Sequence, residues 1–178
     1  MAIGEESNDT VQSRIVFDSL IENGIRQFAY VPDAGHVTTI NLAHEFDTCT
    51  TTTLTTEEEG IPYLLGNWLG GQRGVLLMQS SGVGNCINML ALSVSTRTPL
   101  LMIVTMRGEW AEFNPWQVPM GQATEAILNK IGVKTWRADR HEDLEPLVTG
   151  ACTMAFEAGF PCAILIGQKL LGAKQWTR

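Results

Sequence analysis

Two stretches of this chain are apolar without a break: Val75-Leu76-Leu77-Met78, and Leu100 to Val104 within 99–105. A strand with one wet face alternates apolar and polar residues. A strand without a polar face is covered on both sides, as in a parallel sheet sandwiched by helices. The segments between such strands must then supply helices. Residues 11–23 carry Val11, Ile15, Leu20 and Ile21 at helical spacing, with Gly24 as the stop. Further helices are predicted over 37–46, 57–69, 80–93, 122–131 and 142–158. Strands are predicted at 28–31, 50–53, 75–79, 99–105, 134–137 and 161–166. This alternation specifies an α/β domain, doubly wound, with a mainly parallel six-stranded sheet, helices on both faces and right-handed crossovers.

With 178 residues and no internal linker, one domain over 11–178 is expected, preceded by a flexible polar tail over 1–10. The net charge of −7, without a cluster of Lys and Arg, argues against a nucleic-acid surface and against an acidic membrane. Met1 to Thr10 lacks the apolar core of a signal peptide, and no apolar run is long enough to span a bilayer. Cys49, Cys86, Cys152 and Cys162 lie far apart with no C-x-x-C, as expected of buried positions in a reducing compartment. A cytoplasmic location follows as the expectation. A zinc site from His36, His44 and Cys49 has no common ligand spacing and is set aside.

In α/β sheets of this kind, ligands bind at the carboxyl ends of strands. Four such ends carry chemistry: Asp33 with His36, Glu57 with Glu58, Gln79-Ser80-Ser81-Gly82, and Arg107-Gly108-Glu109. Thr56 and Glu59 have the spacing of a capping box, which gives Glu59 a structural task. On the helix after it, Ile61, Leu64, Leu65, Trp68 and Leu69 form one face, with Glu57 and Glu58 near its edges. Acidic residues also suit the positive end of a helix dipole, so the glutamates alone decide nothing. Gly82-x-Gly84 suggests a phosphate cradle, but Ile87 occupies the third small position of a dinucleotide fingerprint. There is no Walker motif, and no glycine precedes Ser80 as a nucleophile elbow requires. The long segment 107–119 holds Trp110, Phe113 and Trp116, which argue for packing.

Taken together, Thr56-Glu57-Glu58-Glu59-Gly60, Gly66-Asn67-Trp68-Leu69-Gly70-Gly71 and Met78-Gln79-Ser80-Ser81-Gly82-Val83-Gly84-Asn85 resemble a known domain. It is the pyrimidine-binding domain of thiamine-diphosphate-dependent 2-oxo acid decarboxylases, nearest to the sulfopyruvate (alpha subunit) and phosphonopyruvate branch. Val31-Pro32-Asp33, Arg107-Gly108-Glu109 and Gln117-Val118-Pro119-Met120-Gly121 resemble it too. The resemblance implies the thiamine-diphosphate-binding fold of pyrimidine-binding type. It implies a glutamate contacting N1′ of the cofactor's aminopyrimidine: Glu57 by register, with Glu58 as the fallback. It also implies Gln79, Ser81, Gly82 and Asn85 as cofactor-binding residues, and Asp33, His36 and Arg107 as facing the substrate. The family's Mg²⁺ motif, Gly-Asp-Gly with a distant Asn, does not occur in this chain. A diphosphate-binding beta subunit holding most of the Mg²⁺ ligands is therefore the implied partner, and a short acidic 2-oxo acid such as 3-sulfopyruvate the implied substrate. A carboligase, an oxidoreductase component or a non-catalytic binding module would share this domain.

Overall fold

The computed structural model describes residues 8–172. Six strands form one parallel sheet: β1 (Ile25–Tyr30), β2 (Thr50–Thr53), β3 (Arg73–Gln79), β4 (Leu100–Thr105), β5 (Lys134–Ala138) and β6 (Pro161–Ile166). Their order is β2-β1-β3-β4-β6-β5, and every pairing is parallel. All residues of β4 and β6 are buried, which is why those stretches carry no polar alternation. The chain is an α/β domain of the expected class.

Helices α1 (Asn8–Glu22), α2 (Val37–Glu45) and α7 (His141–Phe156) pack on one face, around Val75, Leu77, Leu101, Ile103 and Ile164. Helices α3 (Gly60–Leu69), α4 (Ser80–Cys86), α5 (Leu90–Thr96) and α6 (Val118–Lys130) pack on the other, around Leu76, Met78, Met102, Val104 and Leu165. Connections running towards β5 use the second face, and those running back use the first. That division is what a single crossover hand imposes.

Several boundaries differ from expectation, each for a local reason. Glu57–Glu59 is one turn of 3₁₀ helix, and the α-helix starts at Gly60. The capping box does not form: the Thr56 hydroxyl is buried without a partner, and the Glu59 carboxylate accepts the Thr55 amide at 2.9 Å. Leu69 is 84% exposed rather than packed, because α3 ends there and the chain turns at Gly70-Gly71. The helix expected over 80–93 is two helices, interrupted by a turn at 87–89 and restarted by short-range bonds from Ala91 to Asn88 and Leu92 to Met89. Helix α6 begins four residues early. Asn114 caps a 3₁₀ turn at Pro115–Gln117 by accepting the Trp116 amide, and Pro119 falls in the first turn of α6, where its missing N–H costs nothing. A short α8 (Gln168–Leu171) follows β6 and was not expected. The expected N-terminal tail falls mostly outside the described residues, whereas residues 8–10 belong to α1.

Candidate active site

From β1 the chain runs outward to β2, and from β2 it returns past β1 to β3. The crossovers therefore diverge between β1 and β3, and a crevice opens at their carboxyl ends. Asp33 and Glu57 come just after β1 and β2, and Gln79 is the last residue of β3.

Glu57 leaves the end of β2 and is half-buried, whereas Glu58 and Glu59 are exposed. Its carboxylate lies on the first turn of α4. A Cβ at Gly82 would stand 2.5 Å from Glu57 Cδ and Oε1, so only glycine leaves room for it. Asn85, one turn further along α4, donates its Nδ2–H to Glu57 Oε2 at 2.8 Å. The interval Gly82-x-x-Asn85 thus reflects i, i+3 geometry on one helix face. Gln79 begins this unit as the residue before α4, and its Oε1 is buried with no partner; Thr56 Oγ1 is in the same condition. Unpaired buried oxygens are uncommon, and here two fall on residues next in sequence to the Glu57 turn and to α4. Ser81 is half-buried in the first turn of α4, while Ser80 is fully buried and structural. Ser80 accepts the Arg107 amide at 3.0 Å and donates to the Arg107 carbonyl at 3.4 Å. Beneath Glu57, the Cys86 thiol is pushed up to about 12 by burial and then by the charges of Glu57 and Glu58, which keeps it a poor nucleophile.

Asp33 reaches across the end of β3 to β4. Its Oδ2 accepts the Thr105 hydroxyl at 2.8 Å and the Gly35 amide at 3.2 Å. Asp33 also lines a 430 Å³ cavity with Tyr30, Pro32, Val37, Asn41 and His44. His36, expected to face the substrate, is instead 1% exposed, with Nε2 at 3.1 Å from the Met78 carbonyl. That contact fastens this loop to β3. His44 is bonded to Tyr30 Oη through Nε2 and to Thr51 Oγ1 through Nδ1, so the two histidines do not converge on Cys49. Among the described residues, no group of three or more His, Cys, Asp or Glu could hold a metal ion.

Arg107, also expected at the substrate, is engaged by its own loop. Its Nε and Nη2 donate to Glu112 at 2.7 and 2.6 Å, with both side chains largely buried. Glu112 further accepts the Gly108 and Asn114 amides and Gln168 Nε2. The Arg107 guanidinium first, helped by those amides against the cost of burial, holds the Glu112 carboxyl down at about 2. Gln168 Oε1 in turn accepts the Glu109 and Trp110 amides, and Glu109 pairs with Arg137 through both oxygens. Sequence reasoning missed Glu112 and Gln168. An opposite charge five residues after Arg107 was a signal for the first. Nothing local pointed to Gln168, whose part depends on β6 lying beside β4. The tied-down loop displays Trp110 and Phe113, each 44% exposed, and Trp116, 83% exposed.

The alpha subunit of sulfopyruvate decarboxylase from Methanococcus maripaludis is 31% identical over 155 residues, 86% of this chain and 93% of that protein. Its counterpart from Methanocaldococcus jannaschii is 30% identical over 154 residues, 86% and 91% of the two chains. The chain belongs to the sulfopyruvate decarboxylase alpha-subunit family. Proteins of this family are decarboxylases, and the enzyme class is a lyase. A phosphonopyruvate decarboxylase from Streptomyces viridochromogenes shares 38% identity over 79 residues, 43% of this chain and 20% of that protein. No family model matches the chain. Among solved structures, 2-oxoglutarate:ferredoxin oxidoreductase from Magnetococcus marinus superposes with a TM-score of 0.73 at 16% identity. The match covers 92% of this chain and 29% of that one, and it concerns the fold. No helix among the described residues is long and apolar enough to cross a membrane.

Proposed function

We propose that this chain is the pyrimidine-binding subunit of a heteromeric, thiamine-diphosphate-dependent decarboxylase acting on a short acidic 2-oxo acid such as 3-sulfopyruvate. The observation that carries the reading is the seat of Glu57. It is the half-buried member of three consecutive glutamates, laid on Gly82 and held by Asn85 Nδ2 at 2.8 Å.

The residues suit an aminopyrimidine. The Glu57 carboxyl group offers a proton-sharing partner for a ring nitrogen, and the unpaired buried Gln79 Oε1 at the start of α4 is a free acceptor. When bound, thiamine diphosphate supplies the nucleophilic carbon that adds to the 2-oxo carbon and the electron sink that makes CO₂ loss possible. Glu57 holds the proton shared with N1′. The Asn85 N–H on Oε2 fixes the carboxyl plane and leaves Oε1 to the ligand. Gln79 and Ser81 line the same turn, and Gly82 gives the room. Asp33 faces the substrate with its second carboxylate oxygen.

Arg107 and His36 are committed inside the chain. The cations that would meet a sulfonate, and the ligands for Mg²⁺, are accordingly assigned to a diphosphate-binding beta subunit. The exposed aromatics of 110–116 are the surface on which that partner docks.

The test is reconstitution. The purified chain with thiamine diphosphate, Mg²⁺ and 3-sulfopyruvate is expected to release no CO₂, and turnover is expected once the partner is added. Steady CO₂ release by the single chain would overturn the two-subunit reading.

A further inference from the structure

Two hydrogen bonds among the described residues fall on Oδ2 of the Asp33 carboxylate, one from the Gly35 amide and one from the Thr105 hydroxyl. Thr105 is the last residue of β4, two strands away from β1 with β3 between them, and it is 1% exposed. A buried threonine that reaches across a neighbouring strand to a half-buried carboxylate is not a consequence of sheet packing. The contact also needs a glycine beside it. A Cβ on Gly35 would stand 2.9 Å from Thr105 Cγ2 and 3.0 Å from Asp33 Oδ2, driving the two apart.

We infer that Thr105 is the positioning residue for Asp33: its hydroxyl holds Oδ2 so that Oδ1 is presented to the substrate. The inference rests on the reading of Asp33 as a substrate-facing group. Thr105 carries one hydroxyl proton and has two acceptors in reach, Asp33 Oδ2 at 2.8 Å and the Met78 carbonyl at 3.4 Å. The shorter contact makes Oδ2 the principal acceptor, so the hydroxyl donates there and fixes the plane of the carboxyl group.

Other side chains near Asp33 make hydrogen bonds of their own. His36, on the same loop, is bonded to Met78 O, and His44 on α2 is held by Tyr30 and Thr51. Beyond β4, Arg107 is held by Glu112. None of these hydrogen bonds falls on Asp33.

Three variants test the inference: Thr105→Val, which keeps the shape and removes the hydroxyl; Thr105→Ser, which keeps the hydroxyl; and Gly35→Ala, which separates the pair. In the isolated chain at fixed pH, the Asp33 carboxyl ¹³C resonance is expected to move in Thr105→Val and Gly35→Ala and to return in Thr105→Ser. In the enzyme assembled with its partner, Thr105→Val is expected to lower kcat about 10- to 100-fold with KM changed far less. Thr105→Ser is expected to recover most of the rate. An unmoved resonance in a folded Thr105→Val chain, or a rate that Thr105→Ser does not recover, overturns the positioning role. A moved resonance together with an Asp33→Asn enzyme of ordinary activity instead overturns the placement of Asp33 at the substrate.

Discussion

Adding one methyl group at Gly82 separates the chemistry of this site from its stability. In Gly82→Ala the new Cβ meets Glu57 Cδ and Oε1 at 2.5 Å and Cγ at 2.6 Å, and all three nearest atoms belong to that side chain. Ordinary carbon contacts are about 3.5–4.0 Å, so the carboxyl group must retreat by about 1 Å. Those nearest atoms belong to a side chain that can turn away. Glu57 is only half-buried and can be rehydrated after it moves. Losing its hydrogen bond with Asn85 costs about 1 kcal/mol, while exchanging glycine for alanine within α4 returns up to about 1 kcal/mol of helix propensity. Net stability should change by less than about 1 kcal/mol. A carboxyl group misplaced by about 1 Å should cost about 100-fold in turnover. The assay pairs a thermal melt of the isolated chain with steady-state CO₂ release by the assembled enzyme. Turnover within about threefold of the parent, with the melt unchanged, would refute the claim that the Glu57 seat matters.

Glu57→Gln should leave the melt unchanged and slow C2–H exchange of bound cofactor by orders of magnitude, read by NMR; a loss confined to Glu58→Gln would shift the role by one residue. Glu112 titrates at about 2 when folded against 4.5 as its ordinary value. The folded state therefore binds fewer protons, and its advantage is present above 4.5 and lost as pH falls towards 2. Stability on the order of 2 kcal/mol should disappear over that window, and Glu112→Gln should flatten the acid limb of a denaturation series. Gly121→Ala should destabilise the chain by more than about 2 kcal/mol. Its Cβ collides with the Arg107 carbonyl, a backbone atom that cannot rotate away; an unchanged denaturation midpoint would contradict this.

How much of this was legible in the sequence depended on the range of each contact. Unbroken apolar runs identify the inner strands because burial on both faces leaves no polar position, and β3, buried over 74–78, and β4 bear that out. The helix periodicity of α3 was legible, but its start was not. Thr56 and Glu59 have the spacing of a capping box, yet the 3₁₀ turn at Glu57–Glu59 turns Glu59 towards the Thr55 amide. The approach of Glu57 to Gly82 could be inferred only through resemblance, since a contact between the ends of β2 and β3 leaves no periodic trace. Contacts such as Asp33 with Thr105, 72 residues apart, and Glu112 with Gln168, 56 residues apart, depend on strand order. Strand order is a property of the assembled sheet.

That order also accounts for the distribution of charge. The carboxyl end of the sheet gathers Asp33, Glu57, Glu58, Glu59, Glu109, Glu112 and Asp139, while its arginines are already engaged. Arg107 is taken by Glu112, Arg137 by Glu109 and Asp139, and Arg140 by Glu142 and Asp143. An anionic group brought near the glutamates at 57–59 meets repulsion on the order of 1–3 kcal/mol per close charge pair at an intermediate dielectric. Freeing Arg107 would not relieve it cheaply, because the abandoned Glu112 would be left buried and charged. The local arrangement therefore suits an uncharged ring with a basic nitrogen, which a carboxyl group can engage, and disfavours an anionic group set close to Glu57 unless a cation is brought there. If the partner proposed above supplies such cations at the Glu57 rim, anion binding should weaken with added salt much more than the proposed docking of the aromatic loop, which salt-dependent binding assays of the assembled enzyme would check.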